Sequence, residues 1–108
     1  MLNSSEDLKD FILKALDEKK AENIVVIDLE NKTSFAKYMI FATGRSTKNI
    51  SAIADYISME LKHHSSFKTT IEGSGASEWV LLDAGDIILH LFQTDARERY
   101  KIEELWKD

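Results

Sequence analysis

A chain of 108 residues is one domain's worth of sequence, long enough to bury a core without disulfide or metal staples. It has no cysteine, which excludes a disulfide framework, a thiol nucleophile, an iron–sulfur cluster and a cysteine zinc site, and its 44% apolar and 31% charged residues mark a globular chain. The net charge of −5 sits in the last third: residues 1–70 carry 10 acidic and 10 basic side chains, whereas residues 71–108 carry 9 and 4, a balance that disfavours autonomous nucleic-acid binding and attracts a basic protein.

No apolar run approaches the roughly 20 residues of a membrane span. Residues 1–7 are polar and acidic, unlike a signal or transit peptide, so the expected location is the cytoplasm, with no membrane partner.

Ser4 or Ser5 can cap a first helix, with Glu6 and Asp7 favourable at its positive end. Leu8, Phe11, Ile12, Ala15 and Leu16 form one apolar stripe, so the helix runs to about Lys19. Residues 24–29 are short, β-branched and mostly apolar, which predicts a strand buried on both faces. Residues 38–43 give a second strand, antiparallel to the first across a loose loop. Ser46 or Thr47 caps a second helix with Ile50, Ile53, Ala54, Ile57 and Leu61 as its stripe, and His63 and His64 fall at its end.

Residues 69–72 give a third strand, expected to run parallel to the second because a helix joins them. Residues 73–77 read as a flexible turn. Trp79 to Leu82 is strand four, residues 83–86 a tight turn, and Ile87 to Phe92 strand five. A last polar helix starts at Asp95 and ends at Leu105 and Trp106. The sum is a single α/β domain over residues 1–108, with a mixed five-stranded sheet and three helices.

Gly44-Arg45-Ser46 lies between a strand and a helix, where backbone N–H groups can cradle phosphate. The Gly-x-Ser pattern also opens the nucleotidyltransferase signature. That chemistry needs two carboxylates on one strand face to hold Mg²⁺, and the following region offers only Asp55. A glycine turn with a serine cap accounts for the segment more simply. Asp83 and Asp86 flank Gly85 in a turn and are too few for a hard-cation site. His63 and His64 point about 100° apart on a helix, and His90 has no Cys or Gly-x-Ser-x-Gly nucleophile to pair with. No cofactor, metal or catalytic residue is expected.

The run Trp79-Val80-Leu81-Leu82 places Trp79 and Leu81 on one strand face, Val80 and Leu82 on the other. One face must be core. The other then presents large apolar groups beside Glu78, Asp83 and Asp86, an aromatic anchor within an acidic rim suited to a protein interface. Alternatively, helices cover both faces and Trp79 is simply core.

The ordered set of Ala21 to Asp28, Ala42 to Ser46, Ala52 to Asp55, Ile71-Glu72-Gly73, Trp79 to Phe92 and Arg97 to Trp106 resembles the ribosomal silencing factor, or Iojap, family over nearly the whole chain. The resemblance implies a nucleotidyltransferase-like topology without enzymatic activity. It implies a translational silencer active under nutrient limitation or in stationary phase. Such a protein binds the large ribosomal subunit through a basic ribosomal protein at the subunit-joining face (the fourteenth in bacterial large-subunit numbering), which blocks the small subunit. Trp79, Leu81, Leu82 and Asp83, with Asp86 as neighbour, are the partner-binding residues it implies here. Related organellar proteins assist large-subunit assembly, which is the alternative function, and homodimers are permitted. A remnant nucleotide-binding role at Gly44-Arg45-Ser46 is the reading from a different class. Two positions depart from the family pattern: Lys37 before Tyr38, and Ala84 where a tyrosine is usual, a loss expected to remove an aromatic contact beside the interface.

Overall fold

The computed structural model describes residues 4–73 and 77–106. Helix α1 (Ser5–Glu18) starts at Ser4, whose hydroxyl accepts the Asp7 N–H at 3.1 Å, and it buries Leu8, Ile12, Ala15 and Leu16. Helix α2 (Thr47–His64) starts at Ser46, which accepts the Asn49 N–H at 3.0 Å, and buries all five residues of its apolar stripe. Both starts use a serine oxygen to satisfy an orphan N–H of the first turn.

The strands are β1 (Glu22–Asp28), β2 (Tyr38–Gly44), β3 (Thr70–Glu72), β4 (Trp79–Asp83) and β5 (Ile87–Gln93). They form one mixed sheet in the order β1-β2-β5-β4-β3. β2 and β5 pair in parallel, and the other three pairings are antiparallel. β3 therefore runs parallel to β2, as the helix between them demands, but β5 and β4 lie between the two. Residues 74–76 of the expected flexible turn lie outside the described residues.

Helices α1 and α2 cover one sheet face. Their stripes meet Ile40 and Ala42 of β2, Val80 and Leu82 of β4, and Ile87, Leu89 and Leu91 of β5, all fully buried. The opposite face has a smaller cluster built from Ile27, Leu29, Ala36, Met39, Phe41, Phe92 and Ala96. Its cover comes from the β1–β2 loop and the C-terminal segment.

That segment is shorter than the sequence predicts. Helix α3 (Thr94–Tyr100) stops at Lys101, which turns left-handed at φ 52°, and a 3₁₀ turn follows over Ile102–Leu105. The break lets Ile102 and Trp106 pack against the smaller cluster, where Trp106 meets Phe35 edge-on at 5.5 Å. Arg97 holds the segment in place. It forks onto the Glu103 carboxylate at 2.6 and 3.2 Å and donates to the Asn23 carbonyl of β1 at 2.5 Å.

β1 also departs from expectation. Only Ile27 of the strand is buried, because β1 is a sheet edge rather than a doubly covered strand, and Val26 stays 39% exposed. No helix among the described residues is long and apolar enough to cross a membrane.

Candidate functional site

β4 divides its side chains as strand alternation requires. Val80 and Leu82 are fully buried beneath the helices, while Trp79, Leu81 and Asp83 are half-buried on the opposite face. Leu82 is therefore corrected from a partner-binding residue to a core residue, since a side chain with no exposed surface touches no partner. Register completes the face. Leu81 lies between Glu72 of β3 and His90 of β5, and Asp83 between Thr70 and Ile88. Glu72 and Thr70 are exposed, and Ile88 is half-buried.

Trp79 is neither free nor fully enclosed. Its ring lies 5.2 Å from Phe92 at 24°, and 5.3 Å from Tyr100. Its indole N–H donates to His90 Nδ1 at 3.0 Å. His90 is 4% exposed and stacks on Phe41 at 4.7 Å and 7°. Burial pushes the His90 pKa down to about 4, so the imidazole is neutral at pH 7. The alternation of Ile88, His90 and Phe92 was legible in the sequence. The contact between His90 and Trp79 was not, because it depends on the register of two strands.

The acidic residues separate into different roles. Glu78 is ion-paired with Arg99, whose guanidinium lies over the Tyr100 ring. Asp83 accepts the Gly85 N–H at 2.8 Å, closing the turn in which Gly85 takes φ 83°. Asp86 lies past that turn, at the far end of β4 from Trp79. Its carboxylate accepts from the Ser5 hydroxyl at 2.6 Å, and its carbonyl accepts the Lys37 and Tyr38 N–H groups at 2.7 and 3.1 Å. The structure thus gathers Trp79, Leu81 and Asp83 on one face with Glu72 at its border, and assigns Asp86 to fastening α1 onto the sheet.

The two departures from the family pattern also find places. Lys37 is exposed, with its carbonyl accepting the Leu29 N–H at 2.9 Å, while the neighbouring Tyr38 donates to the Glu6 carboxylate, which lowers the Glu6 pKa and raises that of Tyr38. Ala84 is fully buried in the helix-covered core, so the residue type at that position alters core filling rather than a surface contact.

The Gly44-Arg45-Ser46 turn spends its polar groups internally. Ser46 caps α2, and the Arg45 N–H donates to Asn49 Oδ1 at 3.2 Å. A Cβ on Gly44 would stand 2.5 Å from Ile50 Cγ2, so close packing of the turn on α2 explains the glycine. Asp55 is exposed on α2, and His63 and His64 are exposed at its end. Among the described residues, no group of three or more His, Cys, Asp or Glu side chains is placed to hold a metal ion.

These features define the class: a small α/β protein with two helices on one sheet face and a half-covered, acid-edged aromatic face opposite. A family model described as "Ribosomal silencing factor during starvation" matches residues 2–108, and the chain belongs to that family. A ribosomal silencing factor of Zymomonas mobilis is 41% identical over 101 residues, covering 94% of this chain and 76% of the relative. A mouse protein named for mitochondrial assembly of the ribosomal large subunit is 30% identical over 100 residues, which span 90% of this chain and 44% of that protein. A crystal structure of a Chromobacterium violaceum protein superposes with a TM-score of 0.90 at 32% identity, covering 96% of this chain and 87% of that one. The fold class expected from the sequence, a mixed five-stranded α/β sheet with three helices, is the one observed.

Proposed function

We propose that this protein docks on the large ribosomal subunit through the sheet face bearing Trp79, Leu81 and Asp83, and represses translation by excluding the small subunit. The observation that carries the reading is Trp79 itself. A large aromatic ring is held partly exposed on a sheet face whose opposite side is sealed by helices, on the same face as the carboxylates of Glu72 and Asp83. An aromatic anchor with an acidic border fits a basic protein surface better than it fits nucleic acid. The mechanism asks for no bond-making step, only for occupancy of the joining surface.

Family membership and the large-subunit name of the mouse relative support the choice of partner. The same name supports a second reading, a role in large-subunit assembly through the same face. Co-sedimentation with purified large and small subunits tests the first step, with binding expected to the large subunit alone. Re-association of mature subunits separates the two roles. Silencing predicts that the protein slows joining in proportion to its occupancy. An assembly factor would bind precursor particles and leave mature subunits free to join. Equal binding to both subunits, or none to either, overturns the proposal.

A further inference from the structure

We propose that His90 is the positioning residue that fixes the Trp79 indole for docking, an inference that rests on the docking role assigned to Trp79 above. Histidine is an expensive choice at this place in the sheet. Because Nδ1 accepts the Trp79 indole N–H, the neutral ring carries its proton on Nε2. Nε2 is buried and has no hydrogen-bond partner among the described residues. A buried donor without a partner destabilises the fold. Phenylalanine at the same position would keep the stack on Phe41 and bring no such donor. The one contact here that needs an imidazole is the one to Trp79.

That contact matters because Trp79 is only half enclosed. Phe92 and Tyr100 touch its ring, but ring contacts leave the indole free to swing or flip, whereas a hydrogen bond at Nε1 selects one orientation. A partner meeting an already ordered indole avoids the cost of immobilising it on binding. Trp79 and Leu81 then present one fixed apolar surface beside Asp83.

Two experiments decide the matter. The first needs no substitution. Nitrogen-15 NMR of the wild-type protein should show His90 protonated at Nε2 alone, with the Trp79 indole proton hydrogen-bonded and slow to exchange. Protonation at Nδ1 instead overturns the inference. The second is a cycle of large-subunit affinities for His90→Phe, Trp79→Phe and the double variant, each scaled to its folded fraction by urea titration. His90→Phe should weaken binding about fivefold, the size of one lost ordering contact. The double variant should bind no more weakly than Trp79→Phe alone. His90→Asn, whose Oδ1 overlies the position of Nδ1, should recover part of the loss, an outcome that a purely structural role for the ring would not produce. Wild-type affinity in His90→Phe, with binding still lost in Trp79→Phe, overturns the positioning role and leaves the docking face standing. Wild-type affinity in Trp79→Phe overturns the anchor role and the inference with it. If His90→Phe does not fold, the wild-type tautomer and His90→Asn carry the decision.

Discussion

Replacing Trp79 by alanine should damage both folding and docking, in proportions that the structure sets. A fully buried tryptophan cut to alanine costs about 3–5 kcal/mol of stability. Trp79 is half-buried, so about 2 kcal/mol follows from its lost contacts with Phe92 and Tyr100. Loss of the hydrogen bond to His90 adds about 1 kcal/mol. For a chain of this size in urea, about 3 kcal/mol lowers the unfolding midpoint by about 2 M, taking a slope of about 1.5 kcal/mol/M. Docking should lose about 2 kcal/mol more, or some 30-fold in affinity for the large subunit, because the exposed part of the ring anchors the partner. Urea titration followed by co-sedimentation of the same variant measures both quantities. A variant that unfolds at the lower midpoint while its folded fraction binds within about twofold of wild type would make Trp79 a core residue only, and would refute the reasoning.

Binding to the large subunit should weaken as added salt shortens the screening length from about 10 Å to about 3 Å; constant binding over that range would mean that Glu72 and Asp83 contribute nothing. Stability should be acid-sensitive through His90. Its folded pKa of about 4 lies below the ordinary 6.5, so stability is complete above about pH 6.5 and is lost as the unfolded chain takes up a proton toward pH 4, by up to about 3 kcal/mol. Urea midpoints measured across that window check this, and His90→Phe should flatten that part of the profile. Arg97→Ala should cost about 3 kcal/mol, since Arg97 and Glu103 pair with side chains only 12% and 14% exposed, and should raise hydrogen exchange in the C-terminal segment before it does so in α1 or α2. Nucleoside triphosphates should be neither hydrolysed nor transferred in the presence of Mg²⁺; turnover abolished by Asp55→Ala or Asp83→Ala would restore the nucleotidyltransferase reading.

The helices were legible because their signals are local. Ser4 and Ser46 stand one residue before α1 and α2, and the apolar stripes of these two helices repeat at helical spacing. The strands were legible as apolar runs between turn residues. Their places in the sheet were not, since Ile24 to Ile27 is as apolar as a central strand yet forms an edge. The stop at Lys101 carried no signal either, because glycine or asparagine usually marks a left-handed residue and here a lysine takes that role. At the site, alternation separated Trp79 and Leu81 from Val80 and Leu82. It left open which pair was core, and Leu82, included with its neighbours on the family resemblance, proved to be buried. That choice is made by where α1 and α2 settle, a tertiary fact with no local imprint. The Trp79–His90 contact is a diagonal across β4 and β5, within reach of long aromatic side chains only once Leu81 sits opposite His90.

The pairing of β2 with β5 sets the order of events when the protein is made. β2 ends at Gly44 and its parallel neighbour begins only at Ile87, with α2, β3 and β4 synthesised between them. Until β5 is made, the inner edge of β2 has no strand to bond to, and Met39 and Phe41 lack Phe92 and Ala96 of their cluster. Contacts so distant along the chain are slow to close and leave apolar strand edges open to misassociation meanwhile. The sheet therefore cannot close until its fifth strand has been made, late in the chain.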